Sequence, residues 1–250
     1  MNNDTHSLRL LSLRFPAIPL YPRRIPQFRG GVIETAGETA DADLFHNHAP
    51  DGADQHRPAL IQYRAVQGRA CLWGMAAGAQ ALERWWLSAP DALRFGGRAY
   101  PLHAAEVRRE TALLGHTQPG QWTYYRLHDY LALNADNYRR WLDTPRLVFR
   151  AELLETALAG HLLGFCQNAG WWLDERLEVQ VVDVHRRRKT RYHGVELMAF
   201  ELTYRCNLLL PDGIALGKAV SHGFGVQGLL PRFEAAPARR AAPALAEAAG

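Results

Sequence analysis

Lysine is almost absent from this chain. Of 29 basic residues only Lys189 and Lys218 are lysine; the others are arginine. Arginine's planar fork matches phosphate oxygens and base edges better than a point charge does. A GC-rich coding sequence produces the same bias, so the placement of the charges matters more than their number. Cysteine is scarce too. Cys71, Cys166 and Cys206 are odd in number and far apart, which excludes a disulfide framework and a zinc spacing and predicts a reducing, cytoplasmic setting. No run approaches the roughly 20 apolar residues of a membrane span, so no membrane partner is expected. The opening MNNDTHSLRLLSLRF lacks a basic start, an apolar stretch and a small-residue cleavage site, so no signal peptide is expected either.

The 250 residues suffice for one large domain or two small ones, and 48% hydrophobic content excludes wholesale disorder. A net charge of +4 permits nucleic-acid binding without requiring it.

Leu8–Phe15 alternates like a half-buried strand, and a proline-rich turn follows from Pro16 to Pro26. Arg29–Ala36 can open a short helix, and Asp41–Pro58 reads as a polar loop. Ala59–Val66 and Arg69–Met75 are strand-like, with Gln67-Gly68 as the hairpin turn between them. An amphipathic helix over Gly78–Leu87 stops before Pro90, and a strand near Arg98–Val107 completes the unit. Strand, helix, strand, strand, helix, strand is the ferredoxin-like order.

The second half repeats the pattern loosely. Thr123–Leu133 is extended, and Asn134 can cap a helix through Tyr138 and Trp141. Leu147–Phe165 is the clearest helix, with Leu154, Leu158 and Leu162 on one face. Leu177–Val184 and Val195–Leu210 read as strands, and the charged His185–His193 as the hairpin tip between them. The expected division is 1–118 and 119–233, with residues 234–250 a low-complexity, disordered tail.

Three segments carry candidate chemistry. Gly213–Gly228 is dense in glycine and holds Gly217, Lys218, Ser221, His222, Gly223 and Gly225. Glycines let the backbone approach a ligand and expose amides as an anion cradle; a structural bulge is the competing explanation. The segment is no Walker loop and no dinucleotide fingerprint.

Phe45-His46-Asn47-His48 is the second. Cutting RNA with its own 2′-hydroxyl needs a base for that hydroxyl and an acid for the leaving 5′-oxygen, and histidine suits both. In an extended segment His46 and His48 would lie on one side, about 7 Å apart, bracketing a phosphate. Solvated loop histidines look the same in a sequence. A metal site from His46, His48, Asp51, Asp54 and His56 fails the binuclear pattern because Pro50 stands where an aspartate belongs, so no metal and no cofactor is expected.

The third is His185–His193, with Arg186, Arg187, Arg188, Lys189 and Arg191 beside Tyr192 as a stacking platform. It suits an RNA stem backbone, or is a solvated tip. Arg23 and Arg24 extend the patch, and Arg29 or Lys218 could neutralise a pentavalent phosphorus. Trp85-Trp86 and Trp171-Trp172 sit in apolar contexts and read as core or interface.

Gly217-Lys-Ala-Val-Ser221-His-Gly223-Phe-Gly225 resembles the glycine-rich loop of the RAMP superfamily of CRISPR RNA-binding proteins. Pro22–Glu34, Leu44–His48, Pro58–Tyr63, Leu131–Tyr138 and Phe200–Asp212 resemble segments of its repeat-processing endoribonucleases, b-type branch. The resemblance spans roughly residues 8–230; Ala215 departs from it, where glycine is expected. It implies two tandem ferredoxin-like folds of α+β class, catalysis by His46 and His48, and metal-independent cleavage of precursor CRISPR RNA within its repeats. The implied partner is CRISPR repeat RNA, with a homodimer or CRISPR effector-complex subunits as further options. A RAMP subunit that holds guide RNA without cutting is the main alternative.

Overall fold

The computed structural model describes residues 5–46, 59–192 and 194–230. β1 (His6–Pro19) sends Leu11, Leu13 and Phe15 to one face and Leu8 and Leu10 to the other. A 3-10 turn at Pro22–Arg24 leads into α1 (Ile25–Ala36). Pro26 lies in the helix's first turn, where a missing N–H costs nothing, so the helix begins earlier than the proline-rich turn suggests. α2 (Ala42–His46) follows, then β2 (Ile61–Val66) and β3 (Arg69–Met75). Gln67 and Gly68 both take positive φ, 50° and 72°, as a two-residue hairpin turn requires.

α3 (Ala77–Leu87) packs on the same sheet face as α1, around Phe28, Leu82 and Trp85. The strand expected near Arg98–Val107 is two elements. β4 (Ala92–Phe95) and β5 (Arg98–Pro101) form a separate small hairpin turning at Gly96-Gly97, and β6 (Glu106–His116) completes the main sheet. Pro101 has no amide to continue a ladder, so β5 ends there.

In the second half come β7 (Thr123–Tyr130), α4 (Ala135–Asp143), α5 (Leu147–Asn168), β8 (Val179–Tyr192) and β9 (Val195–Cys206). β10 (Leu208–Leu209), a 3-10 turn at Val220–His222 and β11 (Val226–Leu230) follow. Asn134 caps α4 as expected: its side chain accepts from the Asn137 amide at 2.7 Å. His185–Tyr192 is not the hairpin tip. It pairs with β9 from Glu201 to Val195, because long alternating runs on both sides let the ladder extend almost to Gly194.

The sheets run β10-β6-β1-β3-β2 and β11-β7-β9-β8, antiparallel throughout. Setting β10 aside, both have the ferredoxin-like 4-1-3-2 order. The protein is therefore two ferredoxin-like folds in tandem. In the second, the place of the last helix is taken by the glycine-rich segment and its 3-10 turn.

The halves are joined closely. β10 adds to the first sheet through Leu208↔His116 and Leu209↔Gly115. One core cluster mixes Leu8, Leu10, Trp73 and Met75 with Tyr125, Leu158, Phe165 and Phe200. Trp85 and Trp171 are buried, as expected for core, whereas Trp172 is 70% exposed. The three cysteines are buried free thiols. No helix among the described residues is long and apolar enough to cross a membrane. The tail expected to be disordered lies outside the described residues.

Candidate nucleic-acid interface

A cleft of about 990 Å³ lies between the two halves. One wall is Pro22–Pro26 and the outer part of β2; the other is β8 and the glycine-rich segment. Arg23, Arg64, Arg188, Arg191, His128 and His222 line it, against one carboxylate, Asp129. Asp129 sits at a bulge of β7 with φ 49° and holds Arg188 through Nε at 2.7 Å. Such a bulge re-aims side chains, here toward the cleft.

The pleat of β8 divides its cations between two faces. Arg186 and Arg188 stand opposite Glu201 and Ala199, on the open face of the second sheet. Arg187 and Lys189 turn to the helical face: Arg187 lies 5.4 Å over the Trp141 ring, and Lys189 pairs with Glu196 at 2.8 Å. The five cations are therefore not one patch. Arg191, opposite Glu196 and so in phase with Lys189, still borders the cleft near the strand's end; the Tyr192 side chain and His193 lie outside the described residues. On the open face Arg126 holds Glu201 at 2.7 Å, and its hydrogen bond keeps that carboxyl below the usual range.

The glycine-rich segment is not the free amide cradle that its composition suggests. Amides of Gly213, Leu216, Lys218, His222, Gly223 and Gly225 all donate to backbone carbonyls of the protein. Gly217 and Gly225 serve close packing. A Cβ on Gly217 would lie 2.7 Å from the Tyr130 ring, and one on Gly225 1.9 Å from the Leu216 oxygen. Gly223 faces the cleft, with φ 84° and the Ile25 side chain nearby. Ser221 is buried and its hydroxyl lies 3.1 Å from the neighbouring His222 Nδ1. Lys218 is exposed outside the cleft lining, close enough to His161 on α5 for its charge to disfavour that imidazole's proton. Ala215, standing where glycine is expected, is buried against Ala59 and Val220, so its methyl group is core.

His46 ends α2 rather than lying in an extended segment. Its side chain is exposed, and its carbonyl oxygen accepts from Arg29 Nη2. The Tyr63 hydroxyl donates to the Phe45 carbonyl at 3.1 Å, and the Arg29 guanidinium lies 5.8 Å from the Tyr63 ring centroid. The Tyr63 backbone oxygen in turn lies 3.4 Å from where a Gly223 Cβ would stand, so α2 connects to the cleft through β2. His48, Asp51, Asp54 and His56 lie outside the described residues. Arg23 opens into the cleft, but Arg24 does not: it stacks over Phe95 at 5.5 Å and bonds Gln27 at 3.2 Å.

Arg64, His128 and Asp129 line the cleft without having been singled out in the sequence. Arg64 sits in an alternating strand, where a period-two reading identifies the face but not what the other half places over it. For His128-Asp129 the visible sign was two polar residues interrupting an aromatic strand.

Two ferredoxin-like folds, the second closed by a glycine-rich segment over a basic cleft, define a RAMP-type architecture. The chain belongs to the Cas6b family: residues 6–112 match the Cas6b N-terminal domain and residues 117–227 the Cas6b C-terminal domain. Solved structures share the fold. A Cas6b crystal structure has TM-score 0.78 at 21% identity, covering 90% of this chain and 100% of that one. A second, described as the CRISPR RNA processing endoribonuclease Cas6b, has TM-score 0.68 at 18% identity with the same coverage. Csf5, described as a type IV Cas6 crRNA endonuclease, has TM-score 0.53 at 12% identity, covering 90% of this chain and 99% of that one. An uncharacterized protein of Methanocaldococcus jannaschii is 26% identical over 102 residues, 41% of this chain and 68% of its own length.

Proposed function

We propose that this chain is an endoribonuclease that cuts precursor CRISPR RNA within its repeats, without a metal, and releases guide RNAs. The observation that carries the reading is His46, fixed by Arg29 and Tyr63 at the end of α2 in a chain of the Cas6b family. The RNA's own 2′-hydroxyl attacks the adjacent phosphorus, and the bond to the 5′-oxygen breaks. A base takes the 2′-hydroxyl proton and an acid protonates the departing oxygen. The products are a 2′,3′-cyclic phosphate and a 5′-hydroxyl. His46 and His48 fill these two roles, and Arg29, bonded to the His46 carbonyl, offsets charge on the phosphorane. The half up to residue 118 supplies the histidines; residues 119–233 supply Arg188, Arg191 and the glycine-rich wall of the cleft.

The test is incubation of the protein with repeat RNA of its own genome in EDTA. Cutting in EDTA is expected, with a 2′-deoxy nucleotide before the cut abolishing cleavage and sparing binding. RNA that stays intact until magnesium or manganese is added would overturn the mechanism. RNA bound but never cut would leave the guide-holding reading.

A further inference from the structure

Arg64 is an unusual residue to find inside a protein. It is 7% exposed, yet no carboxylate among the described residues pairs with it. Its guanidinium carbon lies 4.5 Å over the Trp73 ring, and Nη2 donates to the Gln62 side-chain oxygen. Among the described residues Nε, shut from water, has no partner and Nη1 has no acceptor. Nη1 lies 3.7 Å from where a Cβ on Gly213 would stand, so the guanidinium sits directly beneath the start of the glycine-rich segment. Burial pulls its pKa down to about 10, so it stays charged at neutral pH. The carboxylate of Asp212 acts on it from a distance, but Asp212 Oδ1 is already taken by the Leu229 amide.

A buried charge is costly unless it is paired. An amide oxygen and an aromatic face offset part of that cost and leave donors unclaimed. The same side chain lines the cleft, where three other arginines face one carboxylate that Arg188 already holds. A ligand that would complete the site is an anion presented from the cleft, with oxygens for a guanidinium edge. Trp73 fixes the plane of the fork beforehand, so little side-chain entropy remains to be lost when the anion arrives.

We propose that Arg64 is an anion-binding residue on the floor of the cleft and takes one backbone phosphate of the bound RNA. This rests on the RNA-processing reading above. Arg64 then acts as a preformed fork, as the exposed Arg191 of β8 does not.

The experiment measures repeat-RNA affinity across a series of chloride concentrations for wild type, Arg64→Met and Arg64→Lys, with thermal midpoints on the same preparations. Arg64→Met should weaken binding by about tenfold and reduce the logarithmic salt slope by about one unit, for loss of one phosphate contact. Arg64→Lys should keep the slope but lose affinity, because the charge survives and the fork does not. Inorganic phosphate at matched ionic strength should compete more strongly with wild type than with Arg64→Met. If both variants melt lower but their folded fractions bind with wild-type affinity and slope, Arg64 is a structural clamp and the proposal falls. If Arg64→Met does not fold, wild-type affinity in the folded Arg64→Lys variant overturns it equally. If wild type itself fails to bind repeat RNA, the functional reading falls and takes this one with it.

Discussion

Arg29 donates from Nη2 to the carbonyl oxygen of His46, and through that one bond α1 fixes the end of α2. The last carbonyls of a helix lack partners within it. Here Arg29 takes the one on His46 and the Tyr63 hydroxyl the one on Phe45. The histidine's position therefore depends on a guanidinium 17 residues away. Arg29→Met should slow cleavage by about 10–10²-fold, the scale set by a misplacement of about an ångström. RNA affinity should change much less, and Arg29→Lys should recover part of the rate. Equal losses of affinity and rate would make Arg29 a plain RNA contact. His46→Ala and His48→Ala, by contrast, should each cost about 10²–10⁴-fold in cleavage with binding retained.

The two faces of β8 separate what the sequence presents as one basic run. Neutralising Arg188 and Arg191, which line the cleft, should flatten the salt dependence of RNA binding by nearly one logarithmic unit each. Neutralising Arg187 and Lys189, on Trp141 and Glu196, should leave the slope nearly unchanged. A slope that falls equally for both pairs would mean that RNA wraps the helical face as well. Arg188→Gln also leaves Asp129 unpaired in the cleft, so part of its loss is repulsion of RNA.

Gly223 and Gly225 should respond differently to substitution. Alanine at Gly225 meets the Leu216 oxygen at 1.9 Å on a backbone with φ 69°, so the fold must shift. The left-handed backbone alone costs about 1–3 kcal/mol. Gly225→Ala should therefore lower the melting midpoint by several degrees, with RNA affinity falling only as the folded fraction falls. Gly223→Ala meets the flexible end of Ile25 and faces the cleft. It should melt closer to wild type and lose more affinity per folded molecule. The reverse order would restore the cradle role to Gly225.

Much of the fold was legible because its signals are local. The Gln67-Gly68 turn, the Asn134 cap and the stripe of Leu154, Leu158 and Leu162 each follow from residues a few positions apart. Both 4-1-3-2 sheets follow once those elements are placed in order. What was not legible depends on distant partners. The amides of Lys218 and Gly225 are satisfied by Leu131 and Asp129, and nothing within the segment announces that. The cations of β8 read as a loose tip because the sequence does not show that β9 pairs with them residue by residue. Arg64 is not legible for the same reason: its burial comes from Trp73 on the neighbouring strand and Gly213 in the other half.

The Tyr130 hydroxyl lies 2.7 Å from His161 Nδ1, inside the core of the second half. Burial raises the tyrosine's pKa well above its ordinary value, so the phenol keeps its proton and pairs with Nδ1 of the imidazole. Burial, with the Lys218 charge adding to it, lowers the imidazole's pKa from 6.5 to about 4. Between those values the unfolded chain binds a proton that the folded chain refuses. Stability is therefore full above about pH 6.5 and falls as pH drops toward 4, by roughly 3 kcal/mol over the whole window. Glu201 and Asp41, whose carboxyls are held low by Arg126 and Arg84, contribute to acid sensitivity only at lower pH. His161→Gln keeps a polar group near Tyr130 but does not titrate. Its melting midpoint at pH 7 should lie below that of wild type, and it should fall less between pH 6.5 and 4.5. If the two proteins lose stability in parallel across that range, His161 takes up its proton without unfolding, and the neutral Tyr130–His161 pair is not what makes the fold acid-sensitive.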